Sequence, residues 1–309
     1  MTDILSIGEL LIDLTQTGTA QNIPQYAANP GGAPANVAVA AARLGASTAF
    51  VGKVGTDRFG SFLRDVLHEN HVGDKFLFED DSAPTTMAVV SVDPTGERSF
   101  SFYRTNSADT RLTREEASAA LALQPKIFHF GSVSLTDEPS RSATLSAVAQ
   151  AKIEGCLISY DPNYRPALWP NEAAALHWMK TPLPFVDILK VSDEELPLLT
   201  GTDDLVLGSA QLAKQGIRLV LVTLGERGVF YRRDDHTGLL PGVPTQVADT
   251  NGAGDTFLGA VLSRLSSAPS LELSIPELEE ILTFANRAAS FTCSRPGAIP
   301  AMPTLNDIR

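Results

Sequence analysis

The sequence predicts an α/β fold: a mainly parallel sheet with helices on both faces and a small β-sheet lid. Two observations predict it. From residue 112 onward, short apolar runs at Ile127–Phe130, Cys156–Tyr160, Val186–Val191 and Leu219–Leu224 alternate with helical stretches near 113–122, 139–154, 193–200 and 205–215. That alternation is the pattern of parallel strands joined by crossover helices. Ahead of it, β-rich runs within Thr85–Arg104 flank Asp93-Pro94-Thr95-Gly96, a turn signal that marks a hairpin.

Bulk properties set the frame. A chain of 309 residues with 43% hydrophobic and 19% charged residues can bury a large core. A formal net charge of −12 argues against nucleic acid and anionic membrane surfaces as partners. Cys156 and Cys293 are the only cysteines, so a disulfide framework is not expected and a reducing cytoplasm is the expected setting. The first residues lack a basic segment followed by an apolar core, and no run approaches the roughly 18 apolar residues of a membrane helix.

In chain order, Ile4, Leu5 and Ile7 form a strand that leads to Asp13, a carboxylate delivered where α/β sheets bind ligands, or simply a strand terminator. No G-x-G-x-x-G follows, which disfavours a dinucleotide fold. Residues 15–30 read as polar and turn-rich. Gly31-Gly32-Ala33-Pro34-Ala35-Asn36 then opens a helix of small residues that ends at Gly45. Asn36 either caps that helix or bonds a ligand hydroxyl. A strand at Thr48–Val54 and a helix around Phe62, Leu63, Val66 and Leu67 follow, with His68 and His71 on the surface. In the hairpin, alternation sends Phe100 and Phe102 to one face and Ser99, Ser101 and Tyr103 to the other.

The chemistry-bearing residues sit just past predicted strands. These are Asp161-Pro162-Asn163-Tyr164-Arg165, Lys190-Val191-Ser192-Asp193-Glu194-Glu195 and Thr223-Leu224-Gly225-Glu226-Arg227-Gly228. In a parallel sheet such ends line one edge, so they converge on one crevice. Arg165 offers a planar fork to a phosphate, and Glu195 can hold Mg²⁺ through water. Near the C-terminus, Asp249-Thr250-Asn251-Gly252-Ala253-Gly254-Asp255-Thr256-Phe257 runs into an amphipathic helix. A Gly-Ala-Gly at a helix N-terminus exposes backbone N–H groups and the positive dipole end to an anion. A carboxylate beside that cradle suits phosphoryl transfer to a hydroxyl, with Asp255 taking the proton. Taken alone, the same residues describe a capped glycine turn.

Together, Asp-Thr-Asn-Gly-Ala-Gly-Asp-Thr-Phe, Gly-Gly-Ala-Pro-Ala-Asn-Val-Ala-Val and Gly-Lys-Val-Gly-Thr-Asp-Arg-Phe-Gly resemble the ribokinase-type (PfkB) carbohydrate kinases over the whole chain. Gly-Glu-Leu-Leu-Ile-Asp and Gly-Glu-Arg-Ser-Phe-Ser-Phe-Tyr-Arg most resemble bacterial fructokinases. The resemblance implies a three-layer α/β/α core, a single domain over residues 1–309, and lid segments at about 11–27 and 84–105. It implies ATP-dependent phosphorylation of D-fructose at O6, with Asp255 as base and Gly252, Ala253 and Gly254 as anion hole. Asp13, Gly31, Gly32, Asn36, Phe102, Arg104 and Arg165 are carried to the substrate side. Lys190, Ser192, Thr223, Gly225, Gly228, Thr250 and Asn286 are carried to the nucleotide side. Glu195 would reach Mg²⁺ through water, although Ser192 stands where the family has asparagine. Asp249 is carried as a site for a monovalent cation such as K⁺, and the lid edge as a homodimer surface. Kinases of 2-keto-3-deoxygluconate, with Arg104 meeting the acid, or of a riboside, with Phe100 or Phe102 as slot, share the scaffold. A phosphorylated sugar would call on Lys53 and Arg104. A non-catalytic sugar sensor would require loss of the base or the anion hole, and both are present.

Overall fold

The computed structural model describes residues 2–92, 98–267 and 271–308, with side chains outside 91–100. Strand β1 (Ile4–Ile7) feeds two long lid strands, β2 (Leu11–Ala20) and β3 (Ile23–Gly31), before helix α1 (Ala33–Arg43) returns to β4 (Thr48–Gly55). Helix α2 (Arg58–Glu69) and strand β5 (Val72–Asp80) follow, and β6 (Met87–Val92) and β7 (Arg98–Tyr103) complete the lid. The chain then alternates through α3 (Arg114–Ala119), β8 (Ile127–Gly131), α4 (Ser140–Ile153), β9 (Leu157–Asp161), α5 (Glu172–Lys180) and β10 (Ile188–Ser192). Two short helices, α6 (Glu195–Thr200) and α7 (Leu205–Ala213), lead to β11 (Leu219–Thr223). Antiparallel β12 (Val229–Arg233) and β13 (His236–Leu240) precede α8 (Ala253–Leu265) and α9 (Ile275–Cys293).

Among the described residues the main sheet has nine strands in the order β13-β12-β11-β10-β9-β8-β1-β4-β5, and the lid has four, β3-β2-β6-β7. The expected parallel core is therefore present, extended at one edge by the antiparallel pair. The segment read as turn-rich at 15–30 is instead the β2–β3 hairpin, paired from Leu11↔Gly31 to Ala20↔Ile23. β6 and β7 pair antiparallel as the hairpin pattern predicts. Its turn at Asp93–Gly96 and the Ser99 and Phe100 side chains lie outside what is described.

Period-two alternation divides the strands between two cores. Leu5, Ile7, Phe128, Phe130, Ile158 and Tyr160 pack with α4 residues such as Ala143 and Ala147. Ile4, Ile127, Ile188 and Leu219 pack on the other face with α1, α8 and α9 through Val37, Phe257, Val261 and Leu282. Small side chains bring α1 and α8 very close. A Cβ at Gly259 of α8 would stand 2.7 Å from Ala40 Cβ and 2.8 Å from the Val37 carbonyl of α1.

The same alternation sets the polar groups. Asp161 shares a face of β9 with Ser159, and Lys190 shares one of β10 with Ile188, so both look toward α8. No helix of the described residues is long and apolar enough to cross a membrane.

Candidate active site

Gly252 caps α8 at φ 75° and ψ 0°, a left-handed conformation that favours glycine. It turns the chain into a 13-residue helix whose first amides lack intrahelical acceptors, and that of Ala253 donates to the Thr250 carbonyl at 3.3 Å. The loop is braced from below. Asp249 accepts from Asn251 N at 2.7 Å and from Gly297 N at 2.9 Å, joining the loop to the segment that contains Ala298. Asp255 stands in the first turn of α8, buried, and accepts from Asn36 Nδ2 at 2.8 Å and Asn163 Nδ2 at 3.3 Å. Burial raises its pKa above the ordinary aspartate value; the Asn36 bond and the charges of Lys190 and Arg165 oppose the rise.

A cavity between lid and core brings together Asp13, Gly32, Asn36, Phe102, Arg165 and Asp255, together with Glu9, Leu11, Ala33, Val133, Asn163 and Asn251. Gly32 lets β3 pass into α1 hard against the backbone, since a Cβ there would lie 2.4 Å from the Glu9 carbonyl. Gly31 backs Asp13 instead, where a Cβ would be 2.4 Å from Oδ2. The Asn36 Oδ1 atom is buried without a hydrogen-bond partner, so an acceptor remains for a ligand hydroxyl.

A second cleft is lined by Lys190, Ser192, Glu194, Glu195 and Leu198, and it shares Asn163, Tyr164, Arg165 and Pro166. Asn163 and Arg165 thus line both spaces. Lys190 is buried, pairs with Asp161 at 2.8 Å, and lies under the cradle, since a Cβ on Gly254 would be 3.0 Å from its Nζ. Burial pushes Asp161 up, and Lys190 pulls against that rise. Thr223 ends β11 opposite Ser192, and Gly225 and Gly228 form the turn into β12. Asn286 of α9 donates to the Pro241 carbonyl at 3.1 Å, beside that turn. None of Thr223, Gly225, Gly228 and Asn286 lines the second cleft.

Two expected ligands look different in three dimensions. Glu195 accepts from Ser192 N at 2.8 Å and Tyr164 N at 2.7 Å, while its own N–H donates to Ser192 Oγ at 3.1 Å. Ser192 is thus one half of a reciprocal cap, a signature already present in Ser-x-x-Glu. Among the described residues no group of three or more His, Cys, Asp or Glu side chains could hold a metal. Mg²⁺ fits such a site only with nucleotide phosphates and water as most of its shell, the coordination it prefers. Glu194 and Glu195 are the carboxylates that line the second cleft, where they could reach such an ion through water.

Arg104 is absent from the lining of either cleft. It is buried against Asp109 at 2.7 Å and Asp137 at 3.0 Å, so it is not presented to a substrate acid. Lys53 likewise pairs with Glu116 at 2.8 Å.

Glu9 was not singled out in the sequence, and Asn163 only as part of the segment after β9. Glu9 is buried, its Oε1 accepts from Ala33 N at 3.0 Å, and its Oε2 has no partner. Burial raises its pKa from the ordinary 4.5 to about 7, against the pull of Arg104. The folded state therefore keeps a proton that the unfolded chain releases, and stability falls as pH rises from about 4.5 to about 7. Glu9→Gln is expected to flatten that decline. Thermal melts of both proteins at pH 5 and pH 8 check it, and an equal loss of Tm in both would refute it.

A lidded α/β sheet with a glycine-capped helix and a buried carboxylate at its first turn is the arrangement expected of a carbohydrate kinase. Residues 1–305 match the pfkB family carbohydrate kinase model, and the chain belongs to that family. It is 44% identical to Fructokinase-1 of Oryza sativa subsp. japonica over 308 residues, covering 97% of this chain and 94% of the rice protein. Among solved structures, fructokinase from Xylella fastidiosa with bound ATP superposes with a TM-score of 0.91 at 34% identity, covering 99% of this chain and 96% of that one. A Vibrio cholerae O395 fructokinase double mutant bound to fructose, ADP and potassium ion gives 0.89 at 34% identity, covering 100% and 97%.

Proposed function

We propose that the protein transfers the γ-phosphoryl group of ATP to O6 of D-fructose, giving fructose 6-phosphate. The observation that carries this reading is Asp255, set between Asn36 of the sugar cavity and Asn163, which lines both clefts. Sugar hydroxyls are held by Asp13, Asn36 and the backbone at Gly32, and Phe102 covers them from the lid. With the acceptor hydroxyl beside its carboxylate, Asp255 takes the proton as the phosphoryl group arrives in line. The amides of Gly252, Ala253 and Gly254 hold the developing charge, with the Lys190 ammonium beneath and Arg165 at the junction. The Gly225–Gly228 turn, Thr223, Thr250 and Asn286 receive the nucleotide. Bound Mg²⁺ would neutralise phosphate charge. K⁺ at Asp249 would stiffen the cradle from below.

Residues 1–309 act as one catalytic unit in this reading, and the lid is kept as a homodimer surface because Ile23, Tyr26 and Tyr103 stand exposed on it. Among the described residues lining the sugar cavity, Arg165 is the one cation, beside the carboxylates of Glu9, Asp13 and Asp255. That balance favours a neutral sugar over a keto acid or a phosphorylated sugar. Phe102 leaves a riboside as the second reading. A panel of fructose, 2-keto-3-deoxygluconate, a riboside and fructose 6-phosphate, assayed for ADP release with Mg²⁺ with and without K⁺, tests it. Fructose is expected to give the highest kcat/KM, and preference for another member overturns the substrate assignment. No sugar-dependent ADP release at all would favour a sensor.

A further inference from the structure

The lid meets the core at a cluster that the reaction itself does not use. Arg104 follows the last residue of β7 and is 7% exposed. Its Nε donates to Asp109 Oδ2 at 2.7 Å, one terminal nitrogen donates to Thr136 Oγ1 at 2.5 Å and Asp137 Oδ2 at 3.0 Å, and the other to the Val133 carbonyl at 3.1 Å. Asp109 also accepts from Thr86 Oγ1, just before β6. The Thr86 carbonyl in turn accepts from Ile12 N of β2 at 3.0 Å. One guanidinium therefore joins the roots of β7, β6 and β2 to the loop after β8.

Both ends of this connection reach the sugar cavity. Phe102, two residues before Arg104, is its lid wall, and Val133, whose carbonyl Arg104 holds, is a core wall. Burying a guanidinium among carboxylates is a costly way to gain stability, because desolvation offsets much of the attraction. Its planar fork is a good way to gain direction, since its four bonds reach four separate acceptors and each fixes one distance.

We infer that Arg104 and Asp109 form a positioning pair that holds the lid wall and the core wall of the sugar cavity in register. The pair acts on sugar recognition through Phe102 and Val133 and does not touch the nucleotide cleft. The inference rests on the sugar-kinase reading of that cavity, but not on fructose being the sugar.

The test is a steady-state comparison of Arg104→Lys, Asp109→Asn and the double variant with wild type, using whichever panel sugar wild type turns over best. Loss of register is expected to raise KM for the sugar about tenfold or more, since small misplacements are strongly felt in bound geometry. KM for ATP is expected to stay within about twofold, and the double variant to resemble either single one, as for residues in one network. Circular dichroism and melts establish that each variant is folded; Asp109→Asn keeps the shape of the site and carries the test where Arg104→Lys does not fold. Equal movement of both KM values, or an unchanged sugar KM in folded variants, overturns the inference. If wild type prefers a sugar other than fructose, the substrate assignment fails while this test proceeds unchanged.

Discussion

Asp255→Asn is expected to lower kcat by at least about 10²–10⁴, the range a positioned general base contributes, while sugar binding persists. The amide is nearly the same size and keeps a carbonyl oxygen to accept from Asn36, which donates to Asp255 at 2.8 Å. What disappears is an acceptor for the hydroxyl proton. Equilibrium binding of the sugar, by calorimetry or fluorescence, together with single-turnover rates separates the two effects. Near-wild-type turnover would sink the base assignment. The wild-type pH profile offers a parallel check. Because burial raises the Asp255 pKa, activity is expected to fail on the acid side at a higher pH than an ordinary aspartate at 3.8 would give.

Gly252→Ala carries the second large effect. At φ 75° an added Cβ would meet Ala298 Cβ at 2.8 Å and its Cα at 3.0 Å. The left-handed backbone alone costs an alanine about 1–2 kcal/mol, and relief requires the loop to move. Moving it re-aims the amides of the cradle, and loss of one such donor costs about 10²–10³ in kcat. The expected variant is therefore modestly less stable and severely slow, with KM for the sugar little changed. Melting curves and kcat measured on one preparation check both, and a folded variant with unimpaired kcat would remove the cradle from the mechanism.

Legibility in the sequence followed the range of the interactions. The glycine-capped start of α8 could be read because glycines, helix start and carboxylate are consecutive, and α1 because Gly32 and Asn36 lie within one turn of chain. The β2–β3 hairpin could not. Its outer residues, from Thr17 to Gln25, are exposed, so no apolar alternation marks them as strand. Arg104 stands in the sequence as a substrate-side cation because its partners, Asp109 and Asp137, come beside it only when residues 108–111 and the loop after β8 fold against the lid root. Glu9 and Asn163 carried no pattern of their own. Ser192 is a different case: the Ser-x-x-Glu capping signal stood in the sequence, and its comparison with the family's asparagine obscured it.

Gly259 touches neither cleft, yet it governs a dimension of the first. Asn36 rides on α1 and Asp255 on α8, and the two helices meet where Gly259 leaves room for Ala40 and the Val37 carbonyl. The missing side chain acts as a gauge: it sets how closely the helices lie, and hence the spacing between Asn36 and Asp255, the proposed hydroxyl holder and proton acceptor. A single methyl there would act as a shim, widening that spacing without altering any group that handles substrate. The accuracy of the proposed reaction centre is thus machined into a helix contact more than one turn beneath it.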